Sequence, residues 1–367
     1  MTSTVVVVGG GYGGAAVAKA LEAEAEADVV LIDPRDAFVN AAGSLRALAQ
    51  PAWAAQMFFP FATLLTRGTL VRDRAVSVTP GGVTLSSGRN VAADYLVLAT
   101  GSSYAYPAKP TSDSIEQALD DLRRTHKELA DADRVLIAGA GPVGLELAGE
   151  IREVWPDKHL TIIDPAEQLL AGFEPGVRDD LHRQLAGLGI ELHLGTSLTA
   201  PPPTEPGVAA PFTVTTTHGA TITADIWFQA YGVRVNSDYL ADGRLTTLTA
   251  QGQVPVTGTL QVRGHDNVYA IGDLTDVAET KMAGFAMQHA EIVAANIAAQ
   301  LRGEQPTTTY QPLGHPMILL PLGTRGGVGQ LPGPEGPDVT SAATVSQYKG
   351  ADLFTGRFTQ QFGPTAA

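Results

Sequence analysis

Residues 5–14 read Val5-Val6-Val7-Val8-Gly9-Gly10-Gly11-Tyr12-Gly13-Gly14, and residues 135–144 read Val135-Leu136-Ile137-Ala138-Gly139-Ala140-Gly141-Pro142-Val143-Gly144. In each, an apolar strand-like run meets Gly-x-Gly-x-x-Gly. The first glycine permits a tight turn, the second lets backbone approach a pyrophosphate, and the third lets the following helix pack on the strand. The helix start then offers free N–H groups and the positive end of its dipole to phosphate. Asp33 closes Val29-Val30-Leu31-Ile32, and Asp164 closes Leu160-Thr161-Ile162-Ile163, each about 25 residues beyond its first glycine. A carboxylate there can accept hydrogen bonds from ribose hydroxyls. Two dinucleotide sites are implied.

Outward from these units, Thr4 to Asp33 reads as strand, loop, Ala-rich helix (15–27) and strand. Glu22, Glu24 and Glu26 fall at that helix's C-terminal end, unfavourable for negative charge, and are read as solvated surface. Residues 70–100 carry short runs with turn signals and end in Tyr95-Leu96-Val97-Leu98-Ala99-Thr100-Gly101, a meander feeding a buried strand. Ile226 to Ala230 is another buried strand that stops near Gly232. Asn267 to Asp273 is followed by a long helix from about Ala283 to Leu301. The segment from Pro332 to Pro337 is read as a loop in a small strand-rich C-terminal region.

Composition narrows the function. With 24 Lys and Arg against 38 Asp and Glu, the formal charge is −14. Nucleic-acid binding rests on cationic residues displacing counterions, so no nucleic-acid partner is expected, and a basic lipid anchor is disfavoured too. There is no cysteine, which excludes a redox dithiol and thiolate metal sites; no metal site is read in the chain. No apolar run approaches the length of a membrane span. Residues 1–4 lack a basic targeting pattern. A soluble, cytoplasmic protein is the expectation, with membrane contact at most peripheral.

The ordered set of first fingerprint with Asp33, Ala99-Thr100-Gly101, second fingerprint with Asp164, Gly232 and Ile271-Gly272-Asp273 resembles the flavoprotein oxidoreductases that carry two dinucleotide-binding folds. The C-terminal third narrows this. Leu260-Gln261-Val262, Asp276-Val277, Lys281-Met282-Ala283, His289-Ala290 and Ala294 to Ile297 look like the ferroptosis-suppressor, or apoptosis-inducing-factor-2-like, branch related to the type II NADH:quinone oxidoreductases. Thr2 stands where animal members have a myristoylated glycine, so a lipid anchor is not expected here.

That resemblance implies an α/β fold of two Rossmann-like domains plus a small C-terminal α+β domain. FAD would bind residues 1–112 and 234–302, and NAD(P)H residues 113–233, with residues 303–367 forming the C-terminal domain. Gly9, Gly11, Tyr12, Gly13, Gly14, Asp33, Arg46, Thr100, Gly101, Gly272 and Asp273 are then expected at FAD. Asp273 would meet its ribityl chain. Met282 and Ala283, at a helix start, would face the flavin's pyrimidine edge, where reduction places negative charge. Lys281 would add a point charge, and a solvated lysine is the equal alternative. Gly139, Gly141, Pro142, Val143, Gly144, Asp164 and Gly232 would hold the nicotinamide nucleotide. Asp164 favours NADH, since a carboxylate repels the 2'-phosphate of NADPH, which stays open as the alternative donor.

Glu146 is the candidate for positioning the hydride donor, so Glu146 and Lys281 are the expected catalytic residues. Met57, Phe58, Phe59 and Phe61, in the Trp53 to Leu65 stretch, are read either as an apolar wall for a flat quinone or as core. The implied reaction takes hydride from NADH to FAD and passes two electrons to a small quinone-like acceptor, in a monomer or homodimer. A reductase for an iron–sulfur protein, a biosynthetic tailoring flavoenzyme and an NADH-responsive redox sensor remain as alternatives.

Overall fold

A computed structural model describes residues 2–366. Its first sheet is fully parallel, in the order Val268–Ala270, Tyr95–Leu98, Ser3–Val8, Ala27–Ile32, Thr69–Val71. Val5, Val6 and Val7 are completely buried. β-branched side chains suit a central strand covered on both faces, which explains the unbroken valine run. The glycine loop leads into α1 (Tyr12–Glu22), and α1 packs along a later helix, α6 (Ala283–Leu301). The three-stranded antiparallel meander Ala75–Thr79, Gly82–Leu85, Asn90–Ala92 feeds Tyr95–Leu98 as the turn signals predict.

Helix α1 ends five residues short of the expected limit. Glu22 is buried and accepts from the backbone N–H groups of Arg67 and Gly68 and from Thr66 Oγ1. Burial opposes its ionisation, yet those donors hold its carboxyl below the usual carboxylate range. The surface reading of Glu22 is therefore corrected: it anchors the 66–68 loop to the end of α1.

After α2 (Ser44–Ala49), the chain leaves the first sheet through Ser102–Ser103 and returns through Arg234–Val235, which pair antiparallel. Between them lie α3 (Ile115–Asp131), α4 (Pro142–Val154), α5 (Pro175–Gly187) and a second parallel sheet. Its order is Ile190–Leu194, His159–Asp164, Arg134–Ala138, Ile226–Gln229. Helix α6 (Ala283–Leu301) has the expected limits.

The C-terminal part is an antiparallel sheet, Ile318–Leu322, Gly326–Gly333 and Gly336–Thr340, followed by short helices. The expected Pro332–Pro337 loop is instead a tight hairpin, with Pro332 opposite Pro337 and only residues 334 and 335 in the turn. Both prolines sit near a strand end, where a missing N–H costs least.

The apolar core does not follow the sheet division. Leu45, Leu48, Met57 and Phe58 pack in one cluster with Leu122, Leu145 and Ile151 of the second unit and Leu320 and Leu322 of the C-terminal sheet. Phe38 and Phe59 meet Phe358, and Phe38 also meets Phe362, from the last helix. Of the two readings of the aromatic stretch, burial matches core: Met57, Phe58, Phe59 and Phe61 are each no more than 2% exposed. No helix among the described residues is long and apolar enough to cross a membrane.

Candidate functional site

The two glycine loops share one geometry. Gly9 has φ +102 and Gly139 φ +114, and a Cβ on either would lie 2.5 Å from a carbonyl of the neighbouring strand end, Ala99 O or Ala230 O. A Cβ on Gly14 would sit 1.7 Å from Gly9 O, and one on Gly144 2.0 Å from Gly139 O. Gly11 and Gly141 face open space within 4 Å. The outer glycines let the chain turn and the helix close on its strand; the middle ones clear room for a ligand.

Three helix starts around these loops lack a side-chain cap: α1 at Gly11, α4 at Gly141 and α6 at Met282. The contrast is α3, where Ser114 Oγ accepts from Gln117 N at 3.2 Å. The first-turn N–H groups of Tyr12, Gly13 and Gly14, of Val143 and Gly144, and of Ala283 have no partner inside their helices. Gly13 brings α1 against α6, since a Cβ there would be 2.9 Å from Ala286 O. The middle-glycine clearings and uncapped helix starts fit a dinucleotide at each loop, and α6 adds a third donor array beside the first.

Asp33 and Asp164 are duplicated in detail. Asp33 Oδ2 accepts from Gly10 N at 2.6 Å and Oδ1 from Arg35 N at 2.9 Å; Asp164 Oδ2 accepts from Ala140 N at 2.6 Å and Oδ1 from Ala166 N at 2.8 Å. The copies differ in one side chain. Arg35 also forks onto Asp33, Nε to Oδ1 at 2.9 Å and NH2 to Oδ2 at 2.7 Å, whereas the Ala166 side chain has no donor to add to its backbone N–H. Burial opposes ionisation of Asp33, but Arg35 and the Gly10 N–H hold its carboxyl below the usual range.

Asp273 accepts from Ser102 Oγ at 2.5 Å, which sets it at the ribbon where the chain leaves the first sheet. Lys109 Nζ donates to the same hydroxyl at 3.1 Å, and burial lowers the Lys109 pKa. Gly101 adopts φ +60 and Gly232 φ +90. Thr100 Oγ1 donates to Asn236 O at 2.7 Å and Asn236 Nδ2 donates back to Thr100 O at 2.9 Å, so the Thr100 side chain fastens the returning chain. Lys281 is engaged by the chain itself. Its ammonium donates to Thr275 O at 3.0 Å and Val277 O at 2.8 Å, closing the turn ahead of α6, and burial lowers its pKa.

Glu146 lies on α4 and accepts from Lys349 Nζ at 2.8 Å, both side chains being largely buried. Burial raises the Glu146 pKa, with Lys349 acting against it. The charge of Glu146 acts on Tyr12, whose phenol donates to Asn40 Oδ1 at 2.9 Å, so the pair stands close to the first glycine loop. One turn along α4, Glu150 accepts from Arg46 NH2 at 2.8 Å, and the same guanidinium donates to Gly350 O at 2.7 Å and Ala351 O at 3.0 Å. Arg46, 2% exposed, has its donors committed there. Expected at a cofactor, it instead ties three parts of the chain together.

Sequence reading missed Lys349, Lys109, Arg35 and Glu150. Arg35 stood two residues from Asp33, a spacing at which a turn brings side chain to carboxylate. Lys349 gave no local signal: its partner is 203 residues away.

A family model described as pyridine nucleotide-disulphide oxidoreductase matches residues 3–296. Ferroptosis suppressor protein 1 of Taeniopygia guttata is 33% identical over 368 residues, covering 98% of this chain and 96% of the relative. Among solved structures, the sulfide:quinone oxidoreductase of Aquifex aeolicus superposes with a TM-score of 0.75 at 19% identity, over 100% of this chain and 93% of the other. The NDH2 of Plasmodium falciparum in complex with NADH gives 0.73 at 14% identity, over 100% of both.

Proposed function

The chain belongs to the pyridine nucleotide-disulphide oxidoreductase family, in the branch of ferroptosis suppressor protein 1, as a flavoprotein with FAD and NAD(P)H as cofactors; from that premise we propose that it oxidises NADH and reduces a small quinone-like acceptor directly. The observation that carries the direct hand-off is the absence of any cysteine in the chain, so no dithiol can relay electrons. FAD, when bound, would supply the two-electron chemistry between donor and acceptor.

The protein's part is to bind and orient. The first loop and α1 hold FAD phosphates, Asp33 meets the adenosine ribose and Asp273 the ribityl hydroxyls. The second loop and α4 hold the nicotinamide nucleotide, with Asp164 on its ribose. Asp164 supports NADH over NADPH, because position 166 is alanine where the first copy has Arg35, leaving no cation beside that carboxylate for a 2'-phosphate. The uncapped Met282–Ala283 helix start would offer N–H groups and dipole to the flavin ring. Glu146 and Lys349 form a proton-holding pair between α4 and the C-terminal segment, suited to orient the nicotinamide and to supply protons to a reduced acceptor. A quinone-like acceptor is also supported by the family branch and by the name of the Aquifex aeolicus neighbour.

Anaerobic addition of NADH to purified protein should bleach the flavin absorbance, and a soluble quinone should restore it faster than ferredoxin does. Flavin that NADH leaves oxidised, or a faster response to ferredoxin, overturns this reading.

A further inference from the structure

His289, in the second turn of α6, is fully buried. Its Nδ1 stands 3.1 Å from Gly272 N. A backbone N–H can only donate, so Nδ1 must accept, and the ring proton of the neutral imidazole resides on Nε2. Nε2 faces Glu279 Oε1 at 3.0 Å, in a side chain 4% exposed, at an angle too bent for a straight hydrogen bond. The other carboxylate oxygen accepts from Tyr310 OH at 2.5 Å, and the Tyr310 ring lies edge-on to the imidazole with centroids 4.2 Å apart. Gly272 itself is left-handed, φ +68, and directly precedes Asp273. Its carbonyl accepts from Thr275 Oγ1 at 2.9 Å, so the turn bearing Asp273 is held by Thr275 on one side and His289 on the other.

We propose that His289 is a positioning residue for the cofactor site: kept as its Nε2–H tautomer by Glu279, it fixes the Gly272 N–H and thereby sets the Asp273 carboxylate against FAD. This rests on the reading of Asp273 as a FAD ligand. The neutral imidazole tautomers differ little in free energy on their own. In the other tautomer, Nδ1–H would face the Gly272 N–H, donor against donor, in a fully buried setting. The Glu279 charge stabilises the Nε2–H form. Tyr310, whose phenol pKa is raised by burial, stays protonated and orients the carboxylate.

Glu279→Gln tests the mechanism at constant shape. Tyr310 continues to donate to the side-chain oxygen, which turns the amide NH2 toward Nε2 and forces the ring proton onto Nδ1. The rate of FAD release, followed as recovered flavin fluorescence after dilution, should rise about tenfold. Ring-nitrogen NMR of histidine-labelled holoprotein should show the His289 proton moved from Nε2 to Nδ1. His289→Asn puts an amide oxygen near the Nδ1 position and should release FAD within about twofold of wild type, and Glu279→Gln should have little further effect in that background. An unchanged tautomer and release rate in Glu279→Gln, or an equal acceleration in the His289→Asn background, overturns the proposal. Loss of FAD through misfolding alone would appear as that second result. Asp273→Asn separates the inference from its premise. Wild-type FAD release in Asp273→Asn removes Asp273 from the site; faster release there with unaltered release in Glu279→Gln removes only the role of His289.

Discussion

Lys349 Nζ lies 2.8 Å from Glu146 Oε1, joining the C-terminal segment to the first turns of the second nucleotide helix. The pair unites residues that no sequence pattern connects, and its largely buried setting makes each charge depend on the other.

Lys349→Met leaves Glu146 buried without its cation. The Glu146 pKa is already raised by burial and should rise further, so the folded state penalises the ionised form. A raised carboxyl pKa contributes stability below the unfolded value and loses it as pH rises through the folded one. Thermal melts should show a small deficit against wild type in acid, growing to roughly 3 kcal/mol at neutral pH. A deficit that shrinks with rising pH would contradict the pairing.

Glu146→Ala should slow flavin reduction by NADH more than reoxidation by quinone, by about tenfold or more in stopped-flow traces, an effect on the scale of one positioned polar group. Equal reduction rates in variant and wild type would remove Glu146 from the nicotinamide side.

Asp164→Ser with Ala166→Arg should move the preference toward NADPH. Serine relieves repulsion of the 2'-phosphate, and arginine supplies the cation that Arg35 provides in the first copy. The ratio of kcat/KM for NADPH over NADH should rise by about a factor of ten or more. Arginine alone should do less, because it would fork onto Asp164 as Arg35 does onto Asp33.

Gly11→Ala and Gly14→Ala should separate binding from folding. A Cβ at Gly14 would lie 1.7 Å from Gly9 O, so the helix must move off the strand and the apoprotein should melt lower. A Cβ at Gly11 meets open space and should leave the apoprotein melt nearly unchanged while weakening FAD binding. Equal melts for the two apoproteins would refute these assignments.

Arg46→Met should lower the denaturant midpoint strongly, a loss of about 3–5 kcal/mol, because Glu150 stays buried without its partner. Arg46→Met with Glu150→Leu should recover much of it.

Both nucleotide units were readable from sequence because glycine geometry and strand burial are local demands. Gly9, Gly14, Gly139 and Gly144 each answer a clash that any side chain would create, so the motif states its own reason. Helix α6 is legible to its limits because alanine and other small or apolar residues predominate from Ala283 to Leu301, with no proline among them. What sequence could not show were side-chain partnerships across distance. Arg46 was assigned to a cofactor when its guanidinium is taken by Glu150 and two carbonyls. Lys281 reads in sequence as a point charge or a solvated lysine at a helix start, and only the fold shows its ammonium on the carbonyls of Thr275 and Val277. Glu22 resembled other surface glutamates until residues 66–68 folded over it. The Pro332–Pro337 hairpin escaped because prolines suggest irregular backbone, and only pairing with a neighbour shows that they sit at strand ends.

The second nucleotide unit is inserted through a ribbon of two short strands, Ser102–Ser103 and Arg234–Val235, a connection that alone would act as a hinge. The shared packing of Leu45, Leu48, Met57 and Phe58 with Leu122, Leu145 and Ile151 makes it a weld. Severed at the ribbon, neither half would be a self-sufficient module: each would carry an oily scar where the other had been. Domain exchange with relatives should therefore succeed only when residues 37–58 travel with the insert they support.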